Sequence, residues 1–293
     1  MTESNLKLAV DAKAQLGEGP CWDAKNGLLY WVDIMGKNIH VHNPEMDTNE
    51  IIPVGMHVGS MALRQSGGIV MAADQGFYSL APASRRVELL HAPSEELPTN
   101  RFNDGKCDPS GRFWAGSMPF EGGAPTGHLY CMEADFKVRH MRDGIRCSNG
   151  LAWSLDQSTM YYIDTPTREV AAFRYDAGTG DIESPKVAIS VPKEEGSPDG
   201  MTIDEEGMLW IAHWGGYKVS RWNPETGKKL DEIAVPAAQV TSCAFGGKNR
   251  NELYITSARI GLDEDTLQKQ PHAGGVFKIE LNVRGQESFV FQG

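Results

Sequence analysis

A chain of 293 residues with 40% hydrophobic and 23% charged side chains has the makeup of a globular protein and is long for one ordinary core. Its formal net charge of −11 offers no basic face, which argues against a nucleic-acid partner. No run approaches the roughly twenty apolar residues of a membrane span, and Met1 to Lys7 lacks the basic-then-apolar layout of a secretory signal. Five scattered cysteines, odd in number and without a CxxC pair, read as free thiols in a reducing, cytoplasmic setting.

Taken in chain order, short apolar runs recur in pairs separated by turn residues. Leu28 to Val32 is followed by Asn38 to His42, Ile69 to Ala73 by Gly76 to Leu80, and Phe113 to Gly116 by His128 to Met132. Met160 to Asp164 then precedes Val170 to Tyr175, Met208 to His213 precedes Lys218 to Trp222, and Leu253 to Thr256 precedes Gly275 to Ile279. The leading strands return roughly every 40–50 residues, the period of a four-stranded propeller blade. Asp108-Pro109-Ser110-Gly111 and Asp204-Glu205-Glu206-Gly207 have the polar-plus-glycine form of hairpin loops. Helical periodicity is nearly absent, apart from a turn near Glu264–Gln268 that Asp263 would cap. No linker of biased composition divides the chain. The expectation is therefore an all-β, six-bladed β-propeller of four-stranded antiparallel blades around a central channel, formed as a single domain over residues 1–293. The last seven residues, Glu287 to Gly293, are left out of that reading.

Four segments place a carboxylate or an amide at one offset before these strands: Glu18 before Leu29–Asp33, Asn103 before Phe113–Gly116, Asn149 before Tyr161–Asp164, and Asp199 before Leu209–Ala212. If the aromatic-rich strands are second in each blade, all four residues enter beside the axis just ahead of the channel-lining strand. The two remaining blades put His57–Val58 and Thr241–Ser242 there. Loops between second and third strands would bring Glu121 and Asp263–Asp265 to the same rim. Oxygen donors without cysteine or paired histidine favour Ca²⁺, Mg²⁺ or Mn²⁺ over structural zinc. His57 and His213 are expected near the channel in supporting rather than ligating roles. No G-x-S-x-G elbow, GxGxxG or Walker pattern is present, which leaves serine-hydrolase and nucleotide chemistry without a motif.

These segments resemble the gluconolactonase/regucalcin (senescence-marker-protein) family of six-bladed propellers. The matching stretches are Leu16-Gly17-Glu18-Gly19-Pro20-Cys21-Trp22, Arg101-Phe102-Asn103-Asp104-Gly105-Lys106, Ser148-Asn149-Gly150-Leu151-Ala152-Trp153-Ser154 and Pro198-Asp199-Gly200-Met201. Trp210-Ile211-Ala212-His213-Trp214-Gly215-Gly216 and Thr256-Ser257-Ala258-Arg259 extend the likeness over nearly the whole chain. The resemblance implies that Glu18, Asn149 and Asp199 hold one divalent metal ion, Ca²⁺ foremost, with Zn²⁺, Mn²⁺ or Mg²⁺ as alternatives. It implies that Arg101, Asn103 and Glu121 bind substrate. The implied activity is opening of a sugar-acid lactone, with Asp199 as the candidate general base. The alternative within the same family is a calcium-binding regulatory protein without lactonase activity.

Overall fold

The computed structural model describes residues 5–293; Met1 to Ser4, part of the stretch read for a secretory signal, lie outside the described residues. The secondary structure is almost entirely β. Four separate four-stranded antiparallel sheets run in simple meander order. The first comprises Gly17–Asp23, Leu28–Asp33, Asn38–Asn43 and Thr48–Pro53, and the second Val58–Leu63, Ile69–Ala73, Gly76–Ala81 and Arg86–His91. The third comprises Asn100–Cys107, Phe113–Pro119, Gly127–Met132 and Val138–Ile145, and the fourth Ser148–Trp153, Thr159–Asp164, Glu169–Tyr175 and Ile182–Ser190. The remaining eight strands form two further meanders joined through the single pair Trp214 and Gln239. One is Ser197–Ile203, Leu209–Trp214, Lys218–Asn223 and Lys228–Ala234. The other is Gln239–Gly246, Glu252–Ala258, Val276–Glu280 and, returning from the start of the chain, Lys7–Val10. An edge strand taken from the far end of the chain ties the two ends together through backbone hydrogen bonds.

The leading strand of each meander touches that of the next, and Gln239–Gly246 touches both Ser197–Ile203 and Gly17–Asp23. The contacts thus close into a cycle, the arrangement expected when sheets radiate from an axis. Burial falls off along each meander accordingly. Phe113–Pro119 is buried almost throughout because neighbouring sheets cover both its faces, whereas Lys228–Ala234 is exposed at all but one residue. The aromatic runs singled out in the sequence are the second strands, as expected.

Close approach of the leading strands needs residues without side chains. A Cβ built on Gly59 would lie 2.5 Å from the carbonyl oxygens of Phe102 and Asn103, and one on Gly150 2.8 Å from that of Asp199. Fully buried aspartates at two hairpin turns brace the structure. Asp108 accepts from the Trp114 indole (2.9 Å), and Asp204 from the Trp210 indole (2.9 Å). Each also closes its own hairpin through backbone N–H groups and pairs with an arginine, Arg112 or Arg221. The predicted helical turn is present as Glu264–Lys269, with Asp263 accepting from the Thr266 N–H at 2.8 Å.

The terminal residues set aside in the sequence belong to the fold. Phe291 is fully buried among Phe102, Phe113 and Tyr130, and its backbone bonds to Leu63 and Gln65. The segment before it bonds to Ile203 and Glu205 on the opposite side. It thereby straps the axis from one side to the other. Its residues Gln286 to Phe289 line a small chamber of about 60 Å³ together with Asp104, Lys106 and Ser242. Phe291→Ala is expected to cost about 3–5 kcal/mol, because a filled aromatic site in a rigid core cannot collapse. Urea unfolding would read this as a lower midpoint at unchanged slope.

Candidate functional site

The residues expected at the axis are neither in loops nor just ahead of the leading strands. They lie inside those strands, each at or beside a break in register. Pairing with the second strand shifts between Glu18 and Cys21, between Phe102 and Gly105, between Asn149 and Leu151, and between Pro198 and Met201. The two other meanders break between Val58 and Ser60 and between Val240 and Ser242. A bulge re-aims the side chain beside it. Repeated around the cycle, it gathers Glu18, Asn103, Asp104, Asn149 and Asp199 at comparable positions. The equivalents in the remaining meanders are Gly59 and Thr241. This corrects the assignment of His57–Val58 and narrows that of Thr241–Ser242.

A second repeated device fixes the entry to these strands. Asp33, at the end of a second strand, accepts from the Gln15 and Leu16 N–H groups (3.0 Å each), two residues ahead of Glu18. Asp164 accepts from the Arg146 (3.2 Å) and Cys147 (2.8 Å) N–H groups, two residues ahead of Asn149. Asp74 does the same for His57 (3.1 Å). None of these aspartates was singled out for a role, although two of the quoted strands visibly end in Asp.

Across the site runs an ordered chain of hydrogen bonds. The Arg101 guanidinium donates to Asn103 Oδ1 (2.6 Å) and to the Phe102 carbonyl (3.0 Å). Asn103 Nδ2 donates to Asn149 Oδ1 (2.9 Å) and to the Ser148 carbonyl (2.8 Å). Asn149 Nδ2 donates to Thr165 Oγ1 (2.8 Å), whose hydroxyl donates to the Pro198 carbonyl (2.8 Å) beside Asp199. Arg101, Asn103 and Asn149 are therefore held in one network that reaches, through Thr165, the backbone beside Asp199 and so spans three meanders. Thr165 is a linking residue with no sequence signal of its own.

The electrostatics of the cluster are strained. Burial raises the Glu18 carboxyl to about 8, with the Asp104 charge adding to the rise and the Gly19 N–H and Arg101 opposing it. Burial pushes Asp199 well above the ordinary carboxylate range, and the Glu18 and Asp104 charges push the same way. Asp104 is raised by burial too. Arg101, itself buried, is the cation that opposes the rise at both Glu18 and Asp199. Asp199 Oδ1 is buried without a hydrogen-bond partner. The Glu18 carboxylate, the orphaned Asp199 oxygen and one lone pair left on Asn149 Oδ1 are oxygen donors of the kind that suits a hard divalent cation. Asp104, which sequence reasoning overlooked since Asn103-Asp104-Gly105 looks like a turn, acts on the other two carboxylates through its charge and lines the small chamber beneath the terminal segment.

Arg101 also lines a cavity of about 580 Å³ with His57, Asp74, Gln75, Phe120 and Glu121. Its guanidinium carbon lies 5.9 Å from the centre of the Phe120 ring. Glu121 sits in the cavity wall, exposed, on the loop between second and third strands where it was expected. His57 holds Asp74 at 2.9 Å and meets Phe120 edge-on at 5.1 Å. His213 is wholly buried and bonded to Ser220, with burial lowering its imidazole to about 4. It braces the structure as a neutral ring. The five cysteines are all free, with Cys107, Cys131 and Cys243 buried and Cys21 and Cys147 partly so.

Residues 16–259 match the family model described as SMP-30/Gluconolactonase/LRE-like region. Regucalcin of Oryctolagus cuniculus is 41% identical over 300 residues covering 100% of both chains. The putative sugar lactone lactonase YvrE of Bacillus subtilis (strain 168) is 40% identical over 286 residues, 98% of each chain. Among solved structures, a calcium-binding protein, regucalcin, from Agrobacterium tumefaciens superposes with a TM-score of 0.93 at 28% identity, covering 98% of this chain and 97% of that one. With the match running through every segment that builds the axial site, the chain belongs to the SMP-30/gluconolactonase/LRE-like family.

Proposed function

We propose that this chain is a metal-dependent hydrolase that opens the ring of a sugar-acid lactone, built as one six-bladed propeller domain over residues 1–293. The observation that carries the reading is the buried cluster of Glu18, Asp199 and Asn149, joined through Asn103 to Arg101, which itself lines a cavity that also holds Glu121. The names of the relatives, a sugar lactone lactonase among them, point the same way. The count of six treats the eight-stranded sheet as two blades, in keeping with the cyclic contacts of the leading strands. Among the described residues, no helix is long and apolar enough to cross a membrane. The partner is a small-molecule lactone.

Glu18, Asn149 and Asp199 would hold the divalent ion. When bound, that ion supplies Lewis-acid polarisation of the ester carbonyl and the countercharge that these carboxylates lack. The protein's own groups account for the rest. Arg101, fixed by Asn103, presents a charge that cannot be titrated away to the lactone oxygens and to the negative charge that grows on the carbonyl oxygen. Asn103 is committed to Arg101 and Asn149, so it sets their positions more than it binds sugar. Glu121 can accept hydrogen bonds from sugar hydroxyls at the open side of the cavity. Asp199 is the base, a buried carboxylate that can collect the proton of the attacking water. Water adds to the carbonyl carbon as Asp199 takes its proton, the ring C–O bond breaks, and the proton passes to the departing alkoxide. The product is an open-chain hydroxy acid that ionises in solution.

The test is a pH-indicator assay over glucono-, xylono- and galactonolactones. Chelated protein receives Ca²⁺, Mg²⁺, Mn²⁺ or Zn²⁺ singly. Activity lost on chelation and restored by one ion on one or two lactones is the expected result. Rates equal to spontaneous hydrolysis with every ion would overturn it. They would leave the calcium-binding alternative, for which calorimetric Ca²⁺ titration is the measure. Affinity no better than for Mg²⁺ would exclude a sensor.

A further inference from the structure

Far from the axial carboxylates, on the outer half of the third meander, three donor atoms meet at one point. His128 Nδ1 lies 3.1 Å from His140 Nε2 and 3.1 Å from Asp143 Oδ1, and His140 Nε2 lies 3.0 Å from the same oxygen. The strands explain the convergence. Tyr130 pairs directly with His140, so His128, two residues before Tyr130, projects from the same face of the sheet. Register breaks on either side of Leu129 then bring residue 143 back toward residue 128. The buried Tyr130 ring packs beside both imidazoles, 5.8 Å from one and 5.6 Å from the other, while the two imidazoles meet edge-on at 5.0 Å.

This near-equilateral triangle cannot be satisfied by hydrogen bonds alone. Asp143 presents a carboxylate whose side chain is 74% exposed. If both nitrogens carry hydrogens, the carboxylate accepts twice but two N–H groups face each other. If only one does, the bare nitrogen faces the carboxylate, lone pair against lone pair. One edge is repulsive in every arrangement, and a cation over the triangle removes the conflict on all three. Bonds of about 2.0–2.1 Å at tetrahedral angles set ligand atoms about 3.3 Å apart, close to the spacing here. The surroundings carry the sign that a cation needs: Glu95, Glu96 and Asp143 all bear on the Tyr130 hydroxyl, while the neighbouring Arg142 is turned onto the Phe173 ring at 4.9 Å.

We infer that His128, His140 and Asp143 form a second metal site, for Zn²⁺ or a similar late first-row ion, separate from the axial oxygen site. Two imidazoles select against Ca²⁺ and Mg²⁺, and three protein ligands on an accessible surface leave a position open. The experiment is calorimetric Zn²⁺ titration of the full chain, beside a variant with the axial site blanked (Glu18→Gln with Asp199→Asn). The blanked variant is expected to bind one equivalent of Zn²⁺. Adding His140→Ala or Asp143→Ala should weaken that binding at least tenfold, and Co²⁺ in the blanked variant should give visible absorption bands that His140→Ala abolishes. Both substituted side chains are partly or largely exposed, so the fold survives even where His128→Ala does not. A blanked variant that binds no Zn²⁺, or one whose binding is untouched by His140→Ala and Asp143→Ala, overturns the site. Neither result depends on lactonase activity.

Discussion

Asp199→Asn will abolish lactone hydrolysis and at the same time make the metal-free protein harder to unfold. The activity loss is expected at roughly 10²–10⁴-fold in kcat/KM, the usual contribution of a positioned base, with more lost if the ion is no longer held. The gain in stability follows from what the carboxylate costs. Asp199 is buried against Glu18 and Asp104, one of its oxygens has no partner, and Arg101 is the cation that opposes its rise. An amide of the same shape removes a charge that the fold does not compensate. About 1–3 kcal/mol is the expected return, or several degrees in Tm for a chain of this length. Added Ca²⁺ or Mn²⁺ should raise the melting temperature of the parent and leave the variant where it is. Parental activity in the variant would remove Asp199 from the mechanism. A variant less stable than the metal-free parent would show that the strain described above is relieved by other means.

That pairing of function with strain also explains what could be read in the sequence. The second strands stand out because sheets cover them on both sides, so Phe113–Pro119 and Leu209–Trp214 are continuous apolar runs. The fourth strands, such as Ile182–Ser190, are exposed and polar, and no periodicity separates them from loops. The leading strands hide for a different reason. Asn100–Cys107 is buried almost completely, yet it reads Asn-Arg-Phe-Asn-Asp-Gly-Lys-Cys, which by composition is a turn. Tertiary packing overrides that local preference, and the glycine in it is there for clearance around the axis. The shared offset of Glu18, Asn103, Asn149 and Asp199 was visible because it is a repeat. Asp104 and Thr165 were not, since each acts in one meander only. The end of the chain was set aside on composition, although its Phe291 fills the core between the second and third meanders.

Metal-free protein should lose stability as pH rises from about 4.5 to 8, and metal should reverse the trend. The sign comes from proton counts. Glu18 has an ordinary value of 4.5 when exposed and about 8 in the fold, so between those limits the folded state holds more protons than the unfolded one. Stability then falls with rising pH, because every increment ionises a group the fold prefers neutral. Asp199 and Asp104 shift in the same direction, so the three act as one coupled set. The accumulated loss is on the order of a few kcal/mol, and it is complete once all three are ionised. A few surface carboxylates work against this trend. Asp156 and Asp181, lowered by hydrogen bonds, stabilise the fold above about pH 4, so the two effects separate in different pH windows. A bound divalent ion needs the ionised forms, and its affinity should climb by up to about tenfold per pH unit for each proton displaced until near pH 8. Urea titrations at pH 5.5, 7 and 8.5, with chelator and with saturating Ca²⁺, would check both halves. The chelated midpoint should fall across the series while the loaded one holds or rises. A chelated midpoint that rises steadily from pH 5.5 to 8.5 would mean that Glu18 and Asp199 are already ionised and paired. The site would then be preformed for its ligand instead of being held under electrostatic load until the ligand arrives.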